Sequence, residues 1–230
     1  MRSAVGHKNT DIKAQLYEQL AQVGKAVGSP HRLEVIELLA QGERTVEGLA
    51  SALSIPVANM SHHLASMRAA RLVDARKEGT FVFYRLSDPD VFELARMIRT
   101  LAERHIAEVD RLVRTYFRAP DELEPIGREE LLERVRAGEV VVLDVRPTNE
   151  YESGHIAGAL SVPLDELERR LAEIPQGKEL VAYCRGPYCV MALKAVKKLR
   201  EQGRVARRLL GGFPEWRHAR LPTEVSGKRR

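Results

Sequence analysis

Cysteine is nearly absent from this chain of 230 residues, which contains only Cys184 and Cys189. Two thiols exclude both a disulfide-stapled secreted domain and a zinc finger held by four thiolates. No run of about 18 apolar residues occurs, and the first ten residues are polar, so the sequence predicts neither a membrane span nor an export signal. We therefore expect a soluble cytoplasmic protein with no membrane partner.

A dominant charge of one sign is also missing. The chain has 37 Lys and Arg against 32 Asp and Glu, and the resulting net charge of +5 is divided between its two halves. Such a small excess is weak support for a nucleic-acid partner. DNA binding must therefore be argued from local sequence patterns.

The first half of the chain has the apolar spacing of helices, interrupted once. Apolar residues recur every three or four positions, which predicts helices over 11–27, 30–42, 45–53, 57–71 and 88–117. Between the last two, β-rich runs at 72–75 and 81–86 flank a turn that contains Gly79, which predicts a hairpin. Helix, tight turn, helix and hairpin describe a winged helix-turn-helix. A plain helical domain with a solvated polar face is the alternative.

The helix predicted over 57–71 has side chains suited to the major groove of DNA. Its outward positions carry short hydrogen-bonding groups that read base edges, and one cation that reaches a phosphate. We predict as DNA-binding residues in this helix Asn59, Ser61, His62, His63, Ser66 and Arg68. Arg76 and Lys77, at the predicted hairpin turn, are expected to contact the phosphate backbone.

The segment from Val57 to Val73, with the hairpin that follows it, resembles the recognition helix and wing of ArsR-type bacterial repressors. Pro30 to Leu39 resembles the second helix of that family, and the whole resemblance covers about residues 15–118. It implies a homodimer that binds double-stranded palindromic operator DNA. It also implies that the first and last helices of this region form the dimer interface.

Many ArsR-type proteins sense metals, but the metal ligands of the family are missing here. The region of its thiolate site reads Glu43 to Glu47, without a cysteine. A second family site would need ligands where this chain has Phe92 and Leu94, which leaves only His105 and Glu108. We therefore expect no metal and no other cofactor.

A composition change at 119–127, with two prolines and several acids, predicts a linker. The predicted organisation is a DNA-binding and dimerisation domain at 1–118, this linker, a second domain at 128–222 and a basic tail at 223–230. In the second domain, strands predicted over 140–145, 180–183 and 205–210 alternate with helices predicted over 164–174 and 190–202. The expected fold is an α+β winged helix-turn-helix domain followed by an α/β domain with a parallel sheet.

Both cysteines lie in one short loop of the second domain. A predicted strand ends at Cys184, Gly186 and Pro187 form the loop, and a helix is predicted to begin after Cys189. Loop amides and a helix N-terminus stabilise a thiolate, which is the nucleophilic form. Cys189 has two interpretations: a packing residue, or a resolving thiol that forms a disulfide or polysulfide bridge with Cys184.

The motifs around this loop resemble the rhodanese family of sulfurtransferases over about 128–222. They are Leu143–Arg146, Glu150–Leu160, Tyr183–Arg185 and Leu210–Trp216. The resemblance implies that Cys184 takes sulfane sulfur from a donor and passes it to a thiol acceptor, with Arg185 steering the donor. The persulfide or anion would be cradled by Gly186, Pro187, Tyr188 and Val190, and Asp144 and Arg146 would support the strand end. Phosphatase chemistry is disfavoured, because Val190 stands where the related fold has arginine.

Three functions fit this combination. The first is a DNA-binding repressor whose rhodanese-like domain senses or transfers persulfide or polysulfide sulfur through Cys184. It is favoured because both thiols lie in the loop and none lies in the DNA-binding half. The second is an active sulfurtransferase with an autoregulatory DNA-binding domain, and the third is a redox sensor that uses a Cys184–Cys189 disulfide. Whether the chain is an enzyme stays open at this point.

Overall fold

The structure is a computed structural model that describes residues 4–118 and 125–226, with side chains over 11–117 and 125–226. Contacts between Cα atoms divide the chain into two compact units, Met1–Arg96 and Met97–Arg230. This limit lies N-terminal to the predicted domain limit at 118, because residues 97–117 pack with the second unit. None of the described helices is both long and apolar enough to cross a membrane.

The first unit is the predicted winged helix-turn-helix. Its helices are α1 (Ala4–Val27), α2 (Pro30–Leu39), α3 (Val46–Leu53), α4 (Val57–Ala69) and the first part of α5 (Pro89–His105). The limit between the two units lies within α5. Its strands are β1 (Arg44–Thr45), β2 (Val73–Glu78) and β3 (Phe81–Leu86), in the antiparallel order β1-β3-β2.

Local chemistry sets the turn between α3 and α4. The hydroxyl of Thr45 caps α3 by accepting a hydrogen bond from the amide of Gly48 at 3.1 Å. Ser54 ends the helix in the left-handed region, with φ of 54°. The inner face of α3 contains Leu49, and the inner face of α4 contains Leu64. Both leucines are fully buried, so the two helices contribute to one apolar core.

The wing is longer than the sequence pattern indicates. β2 continues to Glu78, which pairs with Phe81, so the turn is the two residues between them and includes Gly79 with φ of 61°. Arg76 and Lys77 therefore lie in a strand and not in the turn.

The single helix predicted over 88–117 is interrupted at Ile106, whose φ of −107° and ψ of 102° are extended. The chain continues as α6 (Ala107–Val113) and a π-helical turn at Arg114–Arg118. The spacing of apolar residues is kept across the break, which is why the sequence pattern did not reveal it.

The second unit contains the predicted parallel sheet. Its further elements are α7 (Arg128–Arg136), β4 (Val140–Asp144), α8 (Thr148–Ser153), β5 (His155–Ile156), β6 (Leu160–Ser161), β7 (Glu179–Tyr183), α9 (Val190–Glu201), β8 (Ala206–Arg208), α10 (Phe213–His218) and β9 (Thr223–Glu224). The sheet has the order β6-β4-β7-β8, and all its pairings are parallel. Leu143 and Ala182 face one apolar cluster, and Val142 and Val181 face the other. Burial on both faces explains the continuous apolar runs of β4 and β7.

The prediction of a helix over 164–174 is wrong. This segment forms turns, with one 3₁₀ turn at Leu171–Glu173. Leu167 is nevertheless fully buried, and Leu164 and Leu171 pack against the same cluster. The spacing therefore predicts the inward residues correctly but not the backbone hydrogen bonds.

Parts of the predicted linker and tail belong to the fold. Ile126 is fully buried, and its amide donates to the carbonyl of Arg208 at 2.9 Å. Gly127 is the N-cap of α7. The strand β9 pairs with β5, although the sequence predicts a tail from residue 223. The remaining predicted linker residues at 119–124, and residues 227–230 of the tail, lie outside the described residues.

Candidate functional site

The cysteine loop lies at the carboxyl edge of the parallel sheet, where such sheets place their binding sites. β7 ends at Tyr183, Cys184 follows, and α9 begins after Cys189. The loop is closed by a hydrogen bond from the amide of Cys189 to the carbonyl of Gly186 at 3.1 Å. The two cysteines are not joined by a disulfide.

Cys184 is the inner thiol of the loop. It is 1% exposed, and its Sγ lies 3.4 Å from the carbonyl oxygen of Cys189 and 3.8 Å from that of Gly186. Burial, followed by the hydrogen bond with the Cys189 thiol, raises the pKa of Cys184 well above its ordinary value, although the amides of Ala192 and Gly186 act in the opposite direction. Cys184 therefore keeps its proton at neutral pH.

Cys189 is the outer, half-buried thiol and occupies the N-cap position of the 12-residue helix α9. The hydrogen bond from Cys184 lowers the pKa of Cys189 to about 6, helped by the amides of Arg185 and Met191 and by the charge of Arg185. Cys189 is therefore the thiolate of the pair at neutral pH. The resemblance to rhodaneses implies Cys184 as the nucleophile, so the more acidic thiol and the expected nucleophile are different residues.

Arg185 is held by a buried carboxylate that the sequence reasoning did not single out. Its guanidinium donates to Oε1 of Glu150 at 2.6 Å, through Nη2, and to Oε2 at 3.1 Å, through Nε. Glu150 is 2% exposed. This two-point contact fixes the start of the loop against α8. Glu150 is the first residue of the motif Glu150–Leu160, which resembles rhodaneses, so the sequence did contain a signal for this residue.

Asp144 and Arg146 support the end of β4. Both are fully buried, and Nη2 of Arg146 lies 2.5 Å from Oδ2 of Asp144. Arg146 also donates to the carbonyl of Gly154 at 2.7 Å, and the Tyr183 hydroxyl donates to Asp144 at 2.5 Å. The pair thus ties the ends of β4 and β7 to the segment after α8.

Gly212 forms the other wall of the loop, a role that the sequence reasoning missed. A Cβ at this position would lie 2.4 Å from the amide nitrogen of Gly186 and 2.5 Å from the carbonyl oxygen of Cys184. The amide of Phe213 donates to that same carbonyl at 3.1 Å. Only glycine allows this direct backbone contact.

The remaining predicted cradle residues are less enclosed. The Val190 side chain is 44% exposed, and Pro187 and Tyr188 are half-buried. The Tyr188 hydroxyl donates to Oε1 of Glu103 at 2.6 Å, so this side chain points toward α5. The structure therefore brings together both thiols and the backbone of the loop, whereas the side chains of Tyr188 and Val190 lie outside that cluster.

The recognition helix α4 presents the predicted polar face. Its fully buried side chains are Met60, Leu64 and Met67. Of the predicted DNA-binding residues, the exposed ones are Asn59, Ser61, His62 and Arg68, and the half-buried ones are His63 and Ser66.

His63 differs from its neighbour His62 on the recognition helix. Its ring lies 5.4 Å from that of His31, and its Nδ1 is buried without a hydrogen-bond partner among the described residues. Burial, then the charges of Arg32, His31 and His62, lowers the pKa of His63. His63 is therefore neutral at pH 7 and is the weaker candidate for a phosphate contact.

On the wing, Arg76 is engaged by two carboxylates that the sequence reasoning did not consider. It lies 2.6 Å from Glu43 and 2.5 Å from Glu78, and its guanidinium lies 4.7 Å from the centre of the Phe83 ring. Lys77 beside it is exposed. Among the described residues, no three His, Cys, Asp or Glu side chains come together in a way that could hold a metal ion.

Comparisons with known proteins agree with both units. Residues 29–75 match the model of the bacterial regulatory protein arsR family, and residues 127–219 match that of the rhodanese-like domain. The winged helix and the cysteine loop thus define a DNA-binding transcriptional regulator that carries a rhodanese-like domain.

One relative matches nearly the whole chain, and others match its first half. The chain is 44% identical over 215 residues to the HTH-type transcriptional regulator Rv0324 of Mycobacterium tuberculosis, and the match covers 94% of each protein. It is 34% identical over 93 residues to the transcriptional repressor SmtB homolog of Synechocystis, covering 40% of this chain and 67% of that protein. The solution structure of a homodimeric winged helix-turn-helix DNA-binding domain from Mycobacterium bovis is 38% identical, with a TM-score of 0.40, covering 46% of this chain and 94% of that one. The chain belongs to the family of ArsR-type winged helix-turn-helix regulators with a C-terminal rhodanese-like domain.

Proposed function

We propose that this regulator is a homodimeric repressor whose cysteine loop takes up sulfane sulfur and thereby releases operator DNA. The observation that carries the proposal is the placement of Cys184 and Cys189, which are the only thiols of the chain, in the loop of its rhodanese-like domain, with Sγ of Cys184 3.4 Å from the carbonyl oxygen of Cys189. A thiol pair with one thiolate suits sulfur transfer, which proceeds by attack of a thiolate on divalent sulfur.

The proposed chemistry needs no external oxidant. Cys184 gives its proton to the Cys189 thiolate, and the Cys184 sulfur then attacks the outer sulfur of thiosulfate or polysulfide. The sulfur–sulfur bond of the donor breaks, and sulfite or the shortened polysulfide leaves with the electron pair. Cys184 becomes a persulfide, and the thiolate of an acceptor attacks its outer sulfur. Cys184 leaves with the electron pair and takes its proton back from Cys189, which restores the Cys189 thiolate.

A homodimer is supported by exposed apolar stripes. On α1, Ile12, Leu16 and Leu20 recur every four residues and are 63%, 55% and 57% exposed. In the second unit, Met97 and Leu101 of α5 are likewise about half exposed, at 46% and 49%. Contiguous exposed apolar surface of this kind marks an interaction site. A second copy of the chain covers these stripes in our proposal.

The test is the affinity for a DNA duplex that the wild-type chain has selected from a random-sequence library. We expect sodium tetrasulfide to weaken binding by the wild-type chain about tenfold or more, which corresponds to ~1.4 kcal/mol. Cys184→Ser should bind the duplex like the untreated wild type and should not respond. Sedimentation of the complex should give two chains per duplex.

The competing functions predict different outcomes of the same experiment. Mass spectrometry of the loop peptide should show a gain of about 32 Da on Cys184 for each sulfur taken up. Rapid turnover of thiosulfate with an acceptor thiol, and no change in DNA affinity, would indicate a sulfurtransferase instead. Release of DNA by peroxide alone, with a Cys184–Cys189 disulfide, would indicate a redox sensor. An equal response of wild type and Cys184→Ser would disprove the proposal.

The wing gives a prediction for DNA binding itself. We expect the double variant Glu43→Gln, Glu78→Gln to bind DNA several-fold more tightly at low salt, because it frees Arg76 to contact a phosphate. The slope of log affinity against log salt should become steeper by about one unit. Glu47→Gln removes a nearby exposed charge that no described arginine contacts, so it should leave the slope unchanged. If Arg76→Ala binds as well as the double variant, Arg76 is not a phosphate contact.

A further inference from the structure

Within the second unit, the cysteine loop is bound to the C-terminal part of α5 by Tyr188. Its hydroxyl donates to Oε1 of Glu103 at 2.6 Å, and its ring lies 5.4 Å from the ring of Phe117. The guanidinium of Arg99 lies 5.8 Å from the centre of the Tyr188 ring. Residues 97–117 lie outside the rhodanese-like match at 127–219. The loop is therefore completed by a segment that precedes that domain.

A second connection joins α5 to the opposite wall of the loop. Nη2 of Arg99 lies 2.9 Å from Oε1 of Glu215, and the two side chains are only 16% and 11% exposed. Oε2 of Glu215 accepts the amide of Gly212 at 3.0 Å. Gly212 in turn lies against the backbone of Cys184. Arg99 and Glu103, one helical turn apart, thus hold the two walls of the loop from one face of α5.

Sulfur uptake must disturb this arrangement. Cys184 is 1% exposed, and two carbonyl oxygens lie within 3.8 Å of its sulfur. An added sulfur sits about 2 Å from Sγ, so the carbonyls of Gly186 and Cys189 have to move apart. Tyr188 lies between these two residues in the chain. A shift of the loop backbone therefore moves Tyr188 and directly strains its hydrogen bond with Glu103.

We propose that Arg99 and Glu103 are positioning residues of the cysteine loop and that sulfur uptake is transmitted through Tyr188 to α5. The second half of this inference rests on the proposed function. The transmitting element is one continuous helix, Pro89–His105, which contains the limit between the two units. Because coupling between sites is reciprocal, bound DNA must change the equilibrium of sulfur uptake by the same factor as sulfur changes DNA affinity.

The test uses the full chain with the conservative variants Glu103→Gln and Tyr188→Phe. The matched control is Glu108→Gln, which removes a carboxylate paired with Arg111 and not with the loop. The first measurement is the pH profile of Cys189 alkylation by iodoacetamide. The wild-type rate should rise through a midpoint near pH 6, where the Cys189 thiol ionises. In both variants the midpoint should move toward the ordinary value of about 8.5, because a loosened loop loses its donors to the thiolate.

The second measurement is the response of DNA affinity to sodium tetrasulfide, with the library-selected duplex. The wild type and Glu108→Gln should lose affinity about tenfold, whereas Tyr188→Phe, which removes the hydroxyl donor, should lose less than about twofold. Glu103→Gln keeps an amide oxygen that can accept the hydroxyl but removes the charge that strengthens the bond, so its loss should lie between these values. The double variant Glu103→Gln, Tyr188→Phe should behave like Tyr188→Phe, since the bond is already absent there. A fully retained response in the variants, with persulfide on Cys184, would overturn transmission through Tyr188. Unchanged alkylation midpoints would overturn the positioning role.

Failure of the proposed function has a separate signature. If the wild-type chain itself takes up no sulfur from tetrasulfide, the sulfur-responsive repressor is disproved and transmission of sulfur uptake is disproved with it. The alkylation profile needs no sulfur donor, so in that case it still decides whether Glu103 positions the loop. Thermal unfolding of each variant shows whether it is folded, and Glu103→Asp, which keeps the charge, should partly restore the low midpoint.

Discussion

Replacing Gly212 by alanine is expected to displace the cysteine loop and to slow sulfur uptake about a hundredfold. The added Cβ would lie 2.4 Å from the amide nitrogen of Gly186, 2.5 Å from the carbonyl oxygen of Cys184 and 2.6 Å from the carbonyl carbon of Arg185. All three are backbone atoms, so no side chain can rotate away. Overpacking of this kind costs about 1–3 kcal/mol or more, and here the strain falls on the residues that surround the reacting sulfur.

The matched control for this prediction is Gly127→Ala. Gly127 also lies in the second unit, as the N-cap of α7, but its φ is −71° and a Cβ there would meet no atom within 4 Å. We expect this variant to keep wild-type stability within ~0.5 kcal/mol and wild-type sulfur uptake. Stability is measured by urea unfolding through the fluorescence of Trp216, which is the only tryptophan and is buried in the second unit. Wild-type sulfur uptake by Gly212→Ala would show that the loop does not depend on this contact.

Much of this architecture follows from periodic patterns in the sequence. The helical spacing of Leu49 and Leu53 predicts α3, that of Met60, Leu64 and Met67 predicts α4, and the continuous apolar runs predict β4 and β7. The helices α8 and α10 have six residues each, fewer than two turns, so no helical period can be recognised in them. The segment 164–174 shows the opposite error, since its leucines are spaced as in a helix and pack against the core, Leu167 fully buried and the other two partly, without forming a helix.

The chemistry of the site is less accessible to sequence reasoning, because it depends on partners far apart in the chain. Glu150 holds Arg185 across 35 positions, Glu43 holds Arg76 across 33, and Glu103 accepts from Tyr188 across 85. No local pattern encodes these contacts. The low pKa of Cys189 likewise arises from the proton of Cys184 and from amides that converge only in the folded loop. The sequence predicts which residues form the loop, but the structure distributes the charge between its two thiols.

Replacing Asp144 by alanine is expected to destabilise the second unit by about 3–5 kcal/mol, the usual cost of leaving one partner of a buried ion pair alone. Asp144 and Arg146 are both fully buried, and Asp144 also accepts the Tyr183 hydroxyl. In the variant, Arg146 would keep the Gly154 carbonyl and the Phe213 ring, 4.5 Å from its guanidinium, but would lose the Asp144 carboxylate. Against a total stability of about 5–15 kcal/mol, this loss is large.

Two further variants distinguish two causes of the expected destabilisation: the buried charge of Arg146 and the loss of an ion-pair contact as such. Glu173→Ala removes one partner of an ion pair with Arg170, and because this pair lies at the surface it should cost no more than about 1 kcal/mol. The double variant Asp144→Ala, Arg146→Met also removes the buried guanidinium that has lost this carboxylate, and it should recover part of the loss. Unfolding is again followed through Trp216, so that the second unit is measured without the first. If Asp144→Ala is no less stable than Glu173→Ala, the pair does not support the sheet edge from which the cysteine loop begins. If the double variant is no more stable than Asp144→Ala, the cost comes from the Tyr183 hydroxyl and the cavity, and not from the buried guanidinium.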